Sequence, residues 1–269
     1  MKHLIAILFA LLFSFTLLAK AQEKADTIYI PSYPLTKHQA YKGGEQLVFT
    51  LNYGFVTGGK AYLTVSDTVL NGERVHHVIG KGQTVGMADV IYKIRDQYES
   101  YINPKTQLPV KAVRSIREGR YRYYNEVTYN RDSSTVLSQK SGIHTVQDSI
   151  LDILSAFYFA RNHKFDDNLK ENEIIEFMTY FSDENFPLRI RYRGTEVIKT
   201  KFGKVECYKF SPVTEVGRAF KTEDDMHVWI TKDRNRMPIK VKFNLAVGSF
   251  TCILDEFRGL MHPFDSIRF

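Results

Sequence analysis

From residue 45 to residue 257 the chain is a succession of short runs rich in Val, Ile, Thr, Tyr and Phe, each closed by Gly, Asn, Asp or Pro. That punctuation constrains the fold more than any other feature. Strand-like runs cover 45–53, 60–70, 74–83, 93–102, 109–117, 121–130 and 135–140, then 173–181, 188–198, 204–212, 226–231, 239–245 and 250–257. Asn71-Gly72 is the strongest hairpin signal, because a type I′ turn needs positive φ at both central residues. Glu118-Gly119 and Asp132-Ser133 mark two more turns. One stretch departs from this texture. Ile150, Ile153, Leu154, Phe157, Tyr158 and Arg161 recur at helical spacing, behind a Ser149…Asp152 pair that fits a capping box. Parallel strands need long crossovers, usually helices. About a dozen strands with one helix therefore predict an all-β chain: a large curved antiparallel sheet or open β-barrel, with the helix packed against its concave face.

The two ends read differently. Met1-Lys2-His3 is positive, Leu4 to Leu18 is apolar apart from Ser14 and Thr16, and Ala19-Lys20-Ala21 offers small residues where a signal peptidase reads. This predicts an export signal cleaved after Ala21, and a periplasmic or outer-envelope location. The apolar run is short of the roughly 20 residues that span a bilayer, and no later stretch approaches that length, so no transmembrane span is expected in the mature chain. Residues 22–42 read as an extended leader, 43–257 as a single all-β domain and 258–269 as a frayed tail. Removing Lys2 and Lys20 takes the formal charge from +7 to +5, which together with export argues against nucleic acid as a partner. Cys207 and Cys252 fall in predicted strands, and an oxidising compartment permits either one disulfide or two buried thiols.

No GxSxG, HExxH, CxxC, P-loop or dinucleotide fingerprint is present, and no motif asks for a cofactor or metal. His76-His77 sit side by side on a strand and so point to opposite faces. Glu223-Asp224-Asp225 could offer hard oxygens to a cation, but such a run is more often a solvated turn. Tyr53 to Gly59 is glycine-rich without leading into a helix, which discounts phosphate binding. The middle strands are more informative. Ile94, Asp96, Tyr98, Ser100 and Ile102 share one face, and alternation carries it on to Arg117, Tyr121 and Tyr123. Buried polar groups need partners, so this face is either a satisfied network or a ligand chamber. Asp96, Tyr98, Arg117, Tyr121 and Tyr123 are the candidate ligand contacts. Farther on, Arg189, Arg191 and Arg193 alternate with Leu188, Ile190 and Tyr192. That surface basic row could pair with phosphates or acidic glycans, or form the solvent face of an edge strand.

Several pieces in order are similar to the exported bacterial DUF3108 family over about residues 43–257. They are Gly44-Glu45, Lys93-Ile-Arg-Asp-Gln-Tyr-Glu-Ser100, Arg117-Glu-Gly-Arg-Tyr121, Gln147-Asp148 before Leu154-Ser-Ala-Phe-Tyr158, Cys207-Tyr208-Lys209, and Val228-Trp-Ile-Thr-Lys-Asp233 with Met237-Pro-Ile239. The resemblance implies an exported, envelope-associated all-β protein and carries over no catalytic residue.

Three functions follow as expectations. The leading one is a non-catalytic carrier for a lipid, glycolipid or other amphipathic envelope molecule. The second is a structural protein of the envelope that docks a protein partner through its sheet edges and basic row. The third is a glycan-acting hydrolase using a carboxylate pair such as Asp96 with Glu118, or Asp224 with Asp225.

Overall fold

A computed structural model gives the structure of the protein and describes residues 27–29, 38–163, 169–213, 225–244 and 248–268. The export signal, most of the leader, and Glu223 and Asp224 lie outside the described residues. The strands are β1 (Thr27–Tyr29), β2 (Gln46–Tyr53), β3 (Val56–Leu70), β4 (Glu73–Thr84), β5 (Arg95–Ile102), β6 (Pro109–Glu118), β7 (Tyr121–Asn130), β8 (Thr135–Ser138) and β9 (Gly142–Thr145). After the helix come β10 (Ile174–Phe181), β11 (Glu184–Thr200), β12 (Gly203–Pro212), β13 (Met226–Thr231), β14 (Pro238–Asn244), β15 (Ser249–Arg258) and β16 (Ile267–Arg268). Helix α1 is Gly86–Ile91 and helix α2 is Ile153–Asn162.

The sixteen strands among the described residues form one sheet in the order β1-β10-β11-β12-β13-β14-β15-β2-β3-β4-β5-β6-β7-β8-β9, with β16 added to β12. Every neighbour is antiparallel except β1 on β10. The chain's two halves join where β15 pairs with β2, Phe250 opposite Tyr53 and Arg258 opposite Gln46. The sheet curls round α2 without closing into a barrel. Where its ends approach, side chains bridge the seam: Asn185 Nδ2 donates to the Thr145 carbonyl at 3.5 Å and Arg114 to Ser182 Oγ at 3.1 Å. The Asn71-Gly72 turn forms as expected, with φ of 53° and 84°.

Helix α2 crosses the concave side and is buried on more than one face, where the spacing predicted a single apolar stripe. Leu154 and Tyr158 pack with Val78, Tyr98 and Ile116. Ala156 and Phe159 pack with Ile175, Phe177 and Phe210. The helix also starts a turn later than the Ser149 cap implied. A bridge between Leu151 and Thr179 of β10 holds the backbone extended up to Asp152. Asp152 is the true N-cap: its carboxylate accepts from the Leu154 and Ser155 amides at 2.9 and 3.0 Å, and Ser155 Oγ accepts from the Asp152 amide at 2.8 Å. Ser100 Oγ of β5 donates to the same carboxylate at 2.6 Å, tying helix to sheet. Asp152→Ala should cost about 2 kcal/mol, the upper range for a lost cap, because Ser100 loses its acceptor as well. A denaturant midpoint shift implying less than about 0.5 kcal/mol would show that the cap carries no weight.

The tail does not fray. Ile267 and Arg268 pair with β12, Phe264 packs on the core beside Phe202 and Phe257, and Asn235 Nδ2 donates to the carbonyls of His262 and Pro263 at 3.0 and 2.9 Å. No helix among the described residues is long and apolar enough to cross a membrane.

Candidate functional site

A third stripe of α2, Ile153, Phe157 and Ala160, falls at i, i+4 and i+7 and stays only part-buried, because it faces a pocket of about 220 Å³. The opposite walls come from distant strands: Phe49, Ala61 and Leu63 of β2 and β3, Leu188 and Ile190 of β11, Phe210 and Pro212 of β12, Met226, Val228 and Ile230 of β13, and Val241 and Cys252 of β14 and β15. Each of these residues obeys ordinary inside–outside alternation. What sets the region apart is that nothing in the helix reaches far enough to fill it.

Arg161 and Arg236 are the only charged side chains among the described walls. Arg161 is committed to Glu45, with Nη1 to Oε1 at 2.6 Å and Nη2 to Oε2 at 2.8 Å, and both side chains are essentially inaccessible to solvent. The same guanidinium donates to the Asn235 carbonyl at 3.0 Å and lies 5.5 and 5.0 Å from the ring centres of Tyr41 and Tyr158. The pocket therefore has a built polar floor at the β13–β14 turn. Register places its other end along the row Met226, Phe243, Phe250 and Tyr53, which runs to the tip of the β2–β3 hairpin.

The residues singled out from sequence fare unevenly. All of Ile94, Asp96, Tyr98, Ser100 and Ile102 are buried on the inner face of β5, as alternation predicted. Arg117 and Tyr121 do not join them in one chamber. The β6–β7 turn has two central residues, Gly119 and Arg120, with Glu118 opposite Tyr121, so even-numbered positions of β6 share a face with odd-numbered positions of β7. The Arg117 side chain is exposed on the other face and Tyr121 is 55% exposed at the strand end. The inward cation is Arg114, whose guanidinium carbon lies 5.6 Å from the Tyr98 ring centre, 4.9 Å from that of Tyr123 and 4.8 Å from that of Phe181. The cavity beside Tyr98 and Tyr123 measures about 50 Å³, room for a few waters. This face is a cation–aromatic packing network.

Asp96 and Glu118 do meet. Asp96 Oδ1 accepts from the Arg117 amide at 2.9 Å, Asp96 Oδ2 is buried without a hydrogen-bond partner, and the two carboxyl groups lie close enough to perturb each other's titration. Burial, then the charge of Asp96, pushes the Glu118 carboxyl up to about 7, and burial raises Asp96 too. Both are buried, and neither lines the pocket beside α2.

The arginine row lies on the outer side of β11, which is an interior strand between β10 and β12 rather than an edge. Arg189 Nε donates to Glu176 at 2.6 Å, Arg193 donates to Asn172, and Arg191 is engaged as well, so each arginine of the row has a partner and one is ion-paired. Cys207 on β12 and Cys252 on β15 are separate buried thiols, each pushed up to about 12, chiefly by burial. Two strands separate them, on the order of 14 Å at ~4.8 Å per strand, well beyond disulfide reach. His76 and His77 diverge as expected, bonded to Asp67 at 2.6 Å and Glu99 at 2.7 Å. No cluster of three or more metal-ligating residues occurs among the described residues.

Among solved structures, the chain is similar to a β-barrel-like protein of the DUF1849 family from Brucella abortus, with a TM-score of 0.52 at 6% identity, covering 81% of this chain and 98% of that one. That likeness is one of fold. A DUF1089 family protein from Pseudomonas aeruginosa aligns with a TM-score of 0.29 at 10% identity over 77% of this chain and 93% of that one. No curated protein matches. A family model described as a protein of unknown function, DUF3108, matches residues 48–255, so the strands that build the pocket lie almost wholly within the match and the chain belongs to the DUF3108 family.

Proposed function

We propose that this protein is a non-catalytic carrier of the cell envelope that holds one acyl chain, or a similarly slender apolar group of an amphipathic molecule, in the pocket between α2 and strands β2–β3 and β10–β15. The observation that carries the reading is the pocket's size and lining. Left as a dry void, 220 Å³ would forfeit about 5 kcal/mol at ~24 cal/mol per Å³, a large share of a domain's stability. An apolar occupant restores those contacts. The volume exceeds the ~150 Å³ that takes one benzene and falls short of the ~300–1,000 Å³ of drug-sized sites, so it suits a chain segment and not a whole phospholipid. The polar head would remain outside.

Mass spectrometry of protein purified from its native envelope, under native conditions and then after solvent extraction, tests this directly. A near-stoichiometric adduct lost on extraction is expected. Ala160→Phe, which projects a ring into the pocket, should abolish uptake of a fluorescent fatty acid and raise the melting temperature of the stripped protein. Ala160→Leu should do both more weakly. A bare mass together with no fatty-acid uptake would overturn the reading.

A further inference from the structure

At the end of the sheet where β2 stops, the surface is unusually apolar. Phe55 at the β2–β3 tip is 99% exposed, and α1 next to it shows Met87 at 72% and Val90 at 82%, with Val56 and Ile91 more than half exposed. Helix α1 buries no residue at all. The two elements are one surface: the Val85 amide donates to the Gly58 carbonyl at 3.0 Å, and Ala88 sits against Gly58. The β6–β7 tip adjoins them, since the Gly119 amide donates to the Lys93 carbonyl at 2.8 Å and Tyr92 packs over Gly119. Soluble monomers seldom expose so many large apolar side chains together without a use for them.

The charges around this patch have one sign. Lys93, Arg117, Arg120 and Arg122 are exposed, and none has an ion-pair partner among the described residues. The acids at this corner are withdrawn: Asp89 is held by Arg95 at 2.6 and 3.0 Å, while Asp96 and Glu118 are buried. We propose that the β2–β3 tip, α1 and the β6–β7 tip form a docking surface for an anionic lipid bilayer, with Phe55, Met87 and Val90 entering the headgroup region and the four cations contacting lipid phosphates. A second copy of the chain fits poorly, because a twofold contact would set the cations against their own equivalents. Protruding side chains on convex tips also suit a soft interface better than a walled protein groove.

Vesicle co-sedimentation of protein purified from cells tests the surface, comparing phosphatidylcholine vesicles with vesicles containing phosphatidylglycerol. Binding only to the anionic vesicles, weakened by salt, is expected. Phe55→Asp/Val90→Asp should lower partitioning at least about tenfold. Arg120→Glu/Arg122→Glu should remove the preference for anionic lipid. These positions are exposed, so the variants should keep the wild-type melting temperature. The surface is independent of the pocket: Ala160→Phe should still bind vesicles, whatever the pocket holds. Absence of binding to anionic vesicles, unchanged binding by both variants, or a wild-type dimer in light scattering that Phe55→Asp/Val90→Asp dissolves would each overturn the proposal.

Discussion

Glu45→Gln is expected to cost about 3–5 kcal/mol, because it leaves the Arg161 guanidinium buried without its countercharge. Arg161→Met should cost as much by stranding the carboxylate. The pair makes two short bonds across 116 residues of sequence, and Arg161 also bonds the Asn235 carbonyl, so one side chain fastens the end of α2, the start of β2 and the β13–β14 turn. Removing both charges is a different experiment. Glu45→Leu/Arg161→Met should recover most of the loss, since buried ion pairs commonly offset little more than their own desolvation. Equilibrium urea unfolding of the three variants gives the comparison. If either single variant lost less than about 1 kcal/mol, water must reach the pair and the pocket floor is not the dry cluster described.

The protein should also be more stable in mild acid than at slightly alkaline pH. Glu118 moves from an ordinary 4.5 to about 7 in the fold, through burial and the neighbouring Asp96 charge. A carboxyl that holds its proton more tightly when folded contributes stability in full below its unfolded pKa and loses it as pH rises through the folded value. The loss therefore falls between about pH 4.5 and 7 and is on the order of 3 kcal/mol. Asp89, held down to about 2 by its bond to Arg95, titrates below this window and leaves it undisturbed. Melting temperatures at pH 5 and pH 8 should differ by several degrees, and Glu118→Gln, which keeps a hydrogen-bonding side chain beside Asp96, should flatten the difference. A Glu118→Gln profile with the same pH dependence as the wild type would mean that the fold does not raise the Glu118 carboxyl.

Strand positions were legible because turn chemistry is local. β7 and β13 run where alternation and bounding Asn, Asp and Gly put them, and the inner face of β5 reads correctly from five residues. The next hairpin shows how little error that method tolerates. Taking Arg117 and Tyr121 onto one face requires an odd number of residues in the turn. Two stand there, and the slip exchanges Arg114 for Arg117 as the inward cation. Helix α1 escaped notice because Gly-Met-Ala-Asp-Val-Ile is too short to show a period, and the docking of the tail depends on Asn235, far back in sequence. The pocket had no sequence signal. Its walls are apolar residues at inward positions, indistinguishable one by one from packed core, and only the distance between α2 and the far side of the sheet leaves a gap.

The pairing of β15 with β2 sets a timetable for folding. Gln46 is made 212 residues before its partner Arg258. At roughly 5–20 residues per second of synthesis, one edge of β2 stays open for about 10–40 s before its neighbour exists. β3 can cover the other edge at once, so the chain spends that interval as a growing sheet with one edge of unpaired backbone N–H and C=O groups. Long-range pairings are slow to close even when both strands are present. A chain built this way benefits from a holding chaperone that shields the β2 edge until the last fifty residues arrive.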